Sequence, residues 1–332
     1  MVQALIGQTA STLLGVGLAM SGAYYYFTHP RRVAVELPAD LWPVAEHVYR
    51  EASDGARLHA MWIPAAGGES DRTIIQHHGY NGAGGVLMAD DREPLTAWPL
   101  VRAARERGYN LLLIDARAHG LSEGPWDIEG DALVGDLAAW ARWLRTEHDQ
   151  LWVGLWGNSL GSLLGLLLAG RPAAGGLDAL VLDSMPISAD GLYSGLFGPS
   201  ATLIVQPVVR RLTEAARQRC FPEGRLNAKS CGWPPVLLVH GEQDRHVPVV
   251  QSESALKLLR EAGGDGNCDL WRITGADHLA GLDVAGEEYA ERVLGWYDRW
   301  FSGDAEVVVN SSQTGRAWLV PIASLPAGST LE

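Results

Sequence analysis

Cysteine is scarce in this 332-residue chain, which contains only three of them. Cys220, Cys231 and Cys268 lack the close pairing that structural zinc sites use, so the sequence predicts no metal centre. An odd number also leaves one cysteine unpaired in any disulfide scheme. We expect reduced, half-buried thiols, with a Cys220–Cys231 disulfide as the alternative. The cysteines therefore leave the redox compartment open.

Clusters of basic residues are absent as well. Lysine and arginine together number 26 against 39 acidic residues, which gives a net charge of −13. Non-specific nucleic-acid binding requires lysines and arginines that displace counterions from phosphates, so this function is excluded. Gly82, Gly84 and Gly85 resemble a phosphate-binding loop, but no Lys-Ser/Thr pair follows them, which argues against a nucleotide cofactor.

Residues 4–27 contain no charged side chain at all. As a helix they would span about 36 Å, enough to cross the hydrocarbon core of a bilayer. The aromatic run Tyr24–Phe27 and the pair Arg31-Arg32 follow, as is typical where a helix leaves a membrane. We therefore predict a hydrophobic N-terminal helix over residues 1–30 that anchors the protein in a membrane. The arginine pair predicts that the rest of the chain lies on the cytoplasmic side.

Two other interpretations of this N-terminal segment stay open. A cleaved signal peptide would need a positively charged start, which is missing before Leu5. A helix that docks on its own domain, or on a second copy of the protein, would also be moderately hydrophobic, as this segment is. Small residues recur every fourth position and would let another helix approach closely, so a homodimer is a further prediction. They are Ser11, Gly15, Ala19 and Ala23.

Stretches rich in Val, Leu and Ile alternate with helical patterns through residues 31–302. This alternation predicts an α/β fold, with a mostly parallel central sheet and helices on both faces. Val33–Leu37 is one predicted strand. Residues 185–235 interrupt the alternation, and their apolar content predicts a small helical cap over the carboxyl ends of the strands. Residues 303–332 form a C-terminal extension for which we predict a β-hairpin and to which we assign no function.

A G-x-S-x-G motif occupies Gly157–Gly161 and contains Ser159. The short apolar run Leu151–Trp156 precedes it and predicts a buried strand. The apolar run Ser162–Ala169 follows and predicts a buried helix. A serine at such a strand-to-helix turn is held on a strained elbow with its hydroxyl exposed. The context therefore favours a nucleophilic serine over a structural turn residue.

Two further residues complete a set that could activate this serine. Asp244 and His278 each follow a predicted strand, so both should lie at the carboxyl edge of the sheet together with Ser159. An imidazole can take the proton of the serine when a carboxylate holds its other nitrogen. Asp183 also ends a strand and is the alternative acid. Asp277 is interpreted as a turn or surface residue.

An oxyanion formed at this serine would need two N–H donors. Leu160 follows the nucleophile and should supply one from its backbone. The loop after His78-Gly79 should supply the other, and its first residue is Tyr80. We expect His119 to stabilise its own loop.

Five motifs stand in the order and spacing of one known family. They are His77-His78-Gly79-Tyr80, Asp115-x-Arg117-x-His119-Gly120-x-Ser122, Gly157–Gly161, Gly241-x-x-Asp244-x-x-Val247-Pro248 and His278. Over residues 45–302 the chain resembles an α/β-hydrolase. The resemblance extends to bacterial carboxylesterases and to single-pass, membrane-anchored α/β-hydrolase-domain proteins, many of which act on acyl lipids.

This resemblance implies serine-nucleophile hydrolysis of an ester, thioester or amide without metal or cofactor. A small-molecule or lipid-like ester is the predicted substrate. One alternative is a peptidase of the same fold, although no propeller-sized N-terminal domain is present to select peptides. Another alternative is a non-catalytic, membrane-tethered binding protein, which the presence of Ser159, Asp244 and His278 argues against.

Overall fold

An eight-stranded sheet forms the centre of the molecule, as a computed structural model of the chain shows. The structure describes residues 25, 29–88, 94–126, 130–171, 176–188, 233–264, 266–301, 305–308 and 318–321. The strands in chain order are β1 (Glu46–Glu51), β2 (Arg57–Ile63), β3 (Arg72–His77), β4 (Val86–Met88), β5 (Leu95–Thr96), β6 (Asn110–Ile114), β7 (Trp152–Asn158), β8 (Ala179–Asp183), β9 (Val236–Gly241), β10 (Cys268–Ile273), β11 (Ala305–Val308) and β12 (Trp318–Pro321). The helices are α1 (Trp98–Glu106), α2 (Asp131–Glu147), α3 (Leu160–Ala169), α4 (Val250–Leu259), α5 (Gly281–Ala285) and α6 (Glu287–Trp300).

The strands of the main sheet lie in the order β1-β2-β6-β3-β7-β8-β9-β10. From β6 to β10 all neighbours are parallel, whereas β2 is antiparallel to both β1 and β6. The predicted mostly parallel α/β sheet is therefore confirmed. Because the parallel strands end together, the loops that follow β3, β6, β7, β9 and β10 meet at one edge.

Alternating side chains of the inner strands of the main sheet enter two different cores. Leu112 and Ile114 of β6 pack with α2, α3 and α4 on one face. Leu111 and Leu113 of the same strand pack with α1 and α6 on the other face. The nearly continuous apolar strands in the sequence follow directly from this burial on both faces.

The N-terminal part of the domain differs from the prediction. Val33–Leu37 is not a strand, and the edge strand of the sheet is β1, which the sequence analysis missed. Val35 and Leu37 nevertheless pack against the core beside α1 and α6. The alternation of apolar residues is thus explained by burial of one side of an extended segment, without strand pairing.

Several predictions concern residues outside those described. They are the N-terminal segment 4–27 apart from Tyr25, most of the predicted cap at 185–235, Cys220 and Cys231. Across the described parts of the chain, no helix combines the length and hydrophobicity needed to span a bilayer. Cys268 lies in β10 and is buried. In the C-terminal extension, β11 and β12 pair antiparallel, and the residues that join them are not described.

Candidate active site

Ser159 occupies a sharp turn between β7 and α3. Its backbone has φ 49° and ψ −104°, a conformation that is strained for a residue with a side chain. The turn is possible because Gly161 packs directly on the backbone carbonyl of His77, where a side chain would collide. The N–H of Ser159 donates to the carbonyl of Asp183 at 2.8 Å. The predicted strand, elbow and helix are therefore all present.

The structure brings the three predicted residues together in one hydrogen-bonded row. Nε2 of His278 lies 3.1 Å from Oγ of Ser159, and Nδ1 of His278 lies 2.7 Å from Oδ2 of Asp244. The other carboxylate oxygen of Asp244 accepts the backbone N–H groups of His246 and Val247, at 2.9 and 2.7 Å. Asp244 and His278 are buried, and Ser159 is half-buried.

Burial alone would raise the pKa of the Asp244 carboxyl. The neighbouring His278 and hydrogen bonds from His240 and His278 outweigh this effect and hold the pKa far below its ordinary value. A carboxylate that stays ionised can fix one tautomer of the imidazole and stabilise the imidazolium once it forms. The environment of Asp244 suits this task.

Asp183, the alternative acid, has other partners. Its carboxylate accepts the hydroxyl of Tyr289 at 2.5 Å and that of Ser184 at 2.9 Å. Burial raises the pKa of Asp183, so the site favours its protonated form more than that of an ordinary aspartate. The structure places Asp244, and not Asp183, on Nδ1 of His278.

His240 is a contact of Asp244 that the sequence analysis missed. It lies at the end of β9, and its Nε2 is 3.2 Å from Oδ2 of Asp244 and 2.7 Å from the carbonyl of Val247. Its Nδ1 lies 2.7 Å from the hydroxyl of Ser252 in α4. The only sequence signal for this role is its position four residues before Asp244.

The loop after β3 and the start of α3 border the nucleophile from two sides. A Cβ added at Gly79 would lie 3.4 Å from Cβ of Ser159, so the loop that contains Tyr80 passes beside the serine. Leu160 is the first residue of α3, where the first N–H groups have no partner within the helix. The assignment of the Tyr80 and Leu160 N–H groups as oxyanion donors stays a prediction.

Two buried histidines hold the loop after β3 against the loop after β6. Nε2 of His78 accepts the N–H of Ala116 at 2.9 Å, and Nε2 of His119 accepts the N–H of Asn81 at 3.3 Å. Burial lowers the pKa of His119 to about 4 and lowers that of His78 well below its ordinary value. Both imidazoles therefore stay neutral at physiological pH, as an acceptor nitrogen requires. His119 binds its own loop, as expected, and the loop after β3 in addition.

The neutral state of His119 predicts an acid-sensitive fold. Its pKa falls from 6.5 in the unfolded chain to about 4 in the folded protein, so the unfolded chain binds the proton more readily between these values. The contribution of His119 is complete above pH 6.5 and is lost as the pH falls toward 4. We expect the free energy of unfolding, measured in urea, to depend more steeply on pH in the wild type than in His119→Gln. The difference between the two slopes should be about 1.4 kcal/mol per pH unit. Parallel slopes of the two proteins from about pH 6 to 4.5 would contradict this expectation.

Asp244, His246 and Asp277 present one ligand atom each within 4.8 Å of one another. The carboxylate of Asp277, however, accepts the side chain and backbone N–H of Arg245, and Asp244 is engaged by His278. These groups position the loops of the site, and we assign no cation to them.

Comparisons with known proteins agree with the fold described above. Residues 72–191 match a family model described as the alpha/beta hydrolase fold. The Pyrococcus furiosus esterase Pf2001 superposes with a TM-score of 0.63 at 26% identity, covering 83% of this chain and 98% of the esterase. The chain therefore has the α/β-hydrolase fold.

Other similarities extend over much of the chain. Residues 218–304 match a model of the prolyl oligopeptidase family. The Escherichia coli protein YfhR is 29% identical over 259 residues, which cover 77% of this chain and 81% of YfhR. Human protein ABHD12B is 27% identical over 216 residues, covering 63% of this chain and 56% of its own length. The α/β-hydrolase fold and the similarity to the esterase support hydrolase activity.

Proposed function

We propose that this protein is a serine hydrolase that cleaves carboxylic esters, with Ser159 as nucleophile, His278 as general base and Asp244 as the orienting acid. One observation carries the proposal. His278 lies within hydrogen-bond distance of Oγ of Ser159 through one nitrogen and of Asp244 through the other. The similarity to an esterase supports the choice of ester as substrate.

The proposed reaction has two steps. Oγ of Ser159 attacks the acyl carbon while its proton passes to Nε2 of His278, and the N–H groups of Tyr80 and Leu160 stabilise the oxyanion. The intermediate then expels the alcohol, which takes the proton from His278 and leaves the acyl group on Ser159. Water attacks this acyl-enzyme with the same proton route and releases the acid. Asp244 stabilises the imidazolium in both steps without taking its proton.

We propose a small-molecule or lipid-like ester as the substrate. The uncharged run over residues 4–27 supports this choice, because a membrane contact there would bring the enzyme to substrates that partition into lipid. The proposal has three further parts. This segment attaches the protein to a membrane, residues 31–302 lie on the cytoplasmic side, and the small-residue stripe forms a homodimer interface.

A series of p-nitrophenyl esters with acyl chains from two to sixteen carbons tests the proposal. We expect hydrolysis by the full-length protein, with initial rates that rise toward the longer chains if lipid-like esters are the substrates. A maximum at the shortest chains would instead indicate a carboxylesterase with a confined pocket. Absence of hydrolysis across the series would contradict the ester proposal. Covalent labelling by a fluorophosphonate would exclude the non-catalytic binding protein.

A peptidase is the second candidate function, because residues 218–304 match the prolyl oligopeptidase family. This region contains Asp244 and His278, which peptidases and esterases of this fold would use in the same way. Aminoacyl p-nitroanilides distinguish the two functions. The ester proposal expects them to be cleaved far more slowly than esters, whereas comparable rates would favour the peptidase.

A further inference from the structure

The chain that precedes the sheet lies against the loop between β3 and β4, residues 78–85. We name it the oxyanion loop, because it contains the predicted oxyanion donor Tyr80. We name residues 29–32 the N-terminal strap. The backbone N–H of Arg31 donates to Oδ1 of Asn81 at 2.8 Å, and this bond is partly buried although the two residues are fifty positions apart. Asn81 directly follows Tyr80, the residue predicted to donate to the oxyanion. The strap therefore contacts the loop next to the reacting atoms.

Arg32 attaches the strap to the neighbouring loop. Its Nη1 donates to the carbonyls of Gly120 and Ser122, at 3.0 and 2.8 Å. The same turn is held from inside by the buried carboxylate of Asp115, which accepts the N–H of Leu121 at 2.7 Å. The turn is thus fixed between a guanidinium on its outer side and a carboxylate on its inner side.

Two hydrogen bonds join these two loops. The second oxygen of Asp115 accepts the N–H of Gly84 in the oxyanion loop at 2.7 Å. His119, from the turn that Arg32 holds, accepts the N–H of Asn81. Loss of the strap would therefore loosen the oxyanion loop by two routes, directly at Asn81 and indirectly through the turn.

Asn81 has a left-handed backbone conformation. Its φ of 60° lies in the left-handed region, which a residue other than glycine occupies at an energetic cost. Its backbone N–H binds His119, and its side-chain oxygen binds Arg31. These bonds fix the backbone immediately after Tyr80.

We propose that the N-terminal strap positions the oxyanion hole, with Asn81 and Arg32 as positioning residues. The inference rests on the proposed serine hydrolase, since it assigns a task at that same site. Because the strap continues directly from residues 4–27, it gives the apolar N-terminal segment a connection to the reaction in addition to any role in attachment.

Two variants of the full-length protein test the strap. Asn81→Gly removes the acceptor of the Arg31 bond while tolerating the positive φ, and Arg32→Ala removes both bonds to the turn. We expect kcat to fall about tenfold in each, with KM changed less than about twofold, because an oxyanion donor acts in the transition state. Affinity for a trifluoromethyl ketone, which forms a tetrahedral adduct, should weaken by about the same factor.

Arg102→Ala is the matched control, because it removes an arginine that pairs with Asp40, a residue outside the two loops. Its kcat should equal that of the wild type. Arg32→Lys should recover part of the lost kcat, since an ammonium can bind one of the two carbonyls. The inference would be overturned if folded Asn81→Gly and Arg32→Ala had the kcat and the ketone affinity of the wild type. A lower melting temperature without any change in kcat would overturn it as well.

The rate at which a fluorophosphonate labels Ser159 separates this inference from the ester proposal. Labelling uses the same nucleophile and oxyanion site but needs no ester substrate. A wild type that is labelled and hydrolyses no ester would contradict the ester proposal, while slower labelling of both strap variants would still support the strap. Equal labelling rates in the wild type and the variants would overturn the strap alone.

Discussion

An alanine at position 159 should abolish ester hydrolysis and leave the fold intact. Alanine keeps the Cβ of serine, so the strained backbone of the elbow is unchanged and only the hydroxyl bound to His278 is lost. We expect kcat to fall about 10⁴-fold or more, because no other group can form the acyl intermediate. Initial rates with p-nitrophenyl acetate and a thermal unfolding curve measure the two effects separately.

Ser162→Ala provides the matched control for this substitution. Ser162 lies one turn further along α3, and its hydroxyl is within hydrogen-bond distance of the carbonyls of Gly157 and Asp183. Its loss should lower the free energy of unfolding by about 1 kcal/mol and change kcat less than about threefold. If Ser159→Ala retained the wild-type rate, Ser159 would not be the nucleophile.

The sequence contains enough information to predict which loops meet at the site. Ser159, Asp244 and His278 each follow an apolar stretch, and parallel strands place such positions at one edge of the sheet. The observed register agrees, since it pairs Gly157 with His77 and Asn158 with Asp183 across neighbouring strands. Hydrophobic patterning is a property of many residues together, which is why it predicts the fold reliably.

The partner of an individual buried polar group could not be predicted in the same way. Asp183 and Asp244 both lie at the carboxyl ends of strands, and no local pattern shows which one reaches His278. Which aspartate contacts His278 depends on Tyr289, because Tyr289 lies 106 positions after Asp183 and binds its carboxylate. The predicted strand Val33–Leu37 is a similar case, because Val35 and Leu37 alternate as in a strand, whereas β1 already occupies the sheet edge beside β2.

Replacement of Asp244 by asparagine should lower kcat about 10⁴-fold while KM changes little. The amide can donate its own N–H to Nδ1 of His278, which then carries its proton on Nε2 and can no longer accept the proton of Ser159. The backbone donors at His246 and Val247 can still bind the amide oxygen, so the loop should keep its conformation. Initial rates at saturating ester, beside a circular dichroism spectrum, measure the effect.

Asp183→Asn is the matched substitution at the other strand end. An amide at this position can accept a hydrogen bond from Tyr289 or Ser184 without the charge that burial disfavours. It does not reach the imidazole of His278. We expect kcat to stay within about threefold of the wild type, since Asp183 holds the structure beneath the elbow and His278 keeps its partner. The opposite pattern, in which Asp183→Asn abolishes hydrolysis and Asp244→Asn preserves it, would transfer the role of the acid to Asp183. That outcome would require His278 to rotate away from the 2.7 Å contact with Asp244 during the reaction.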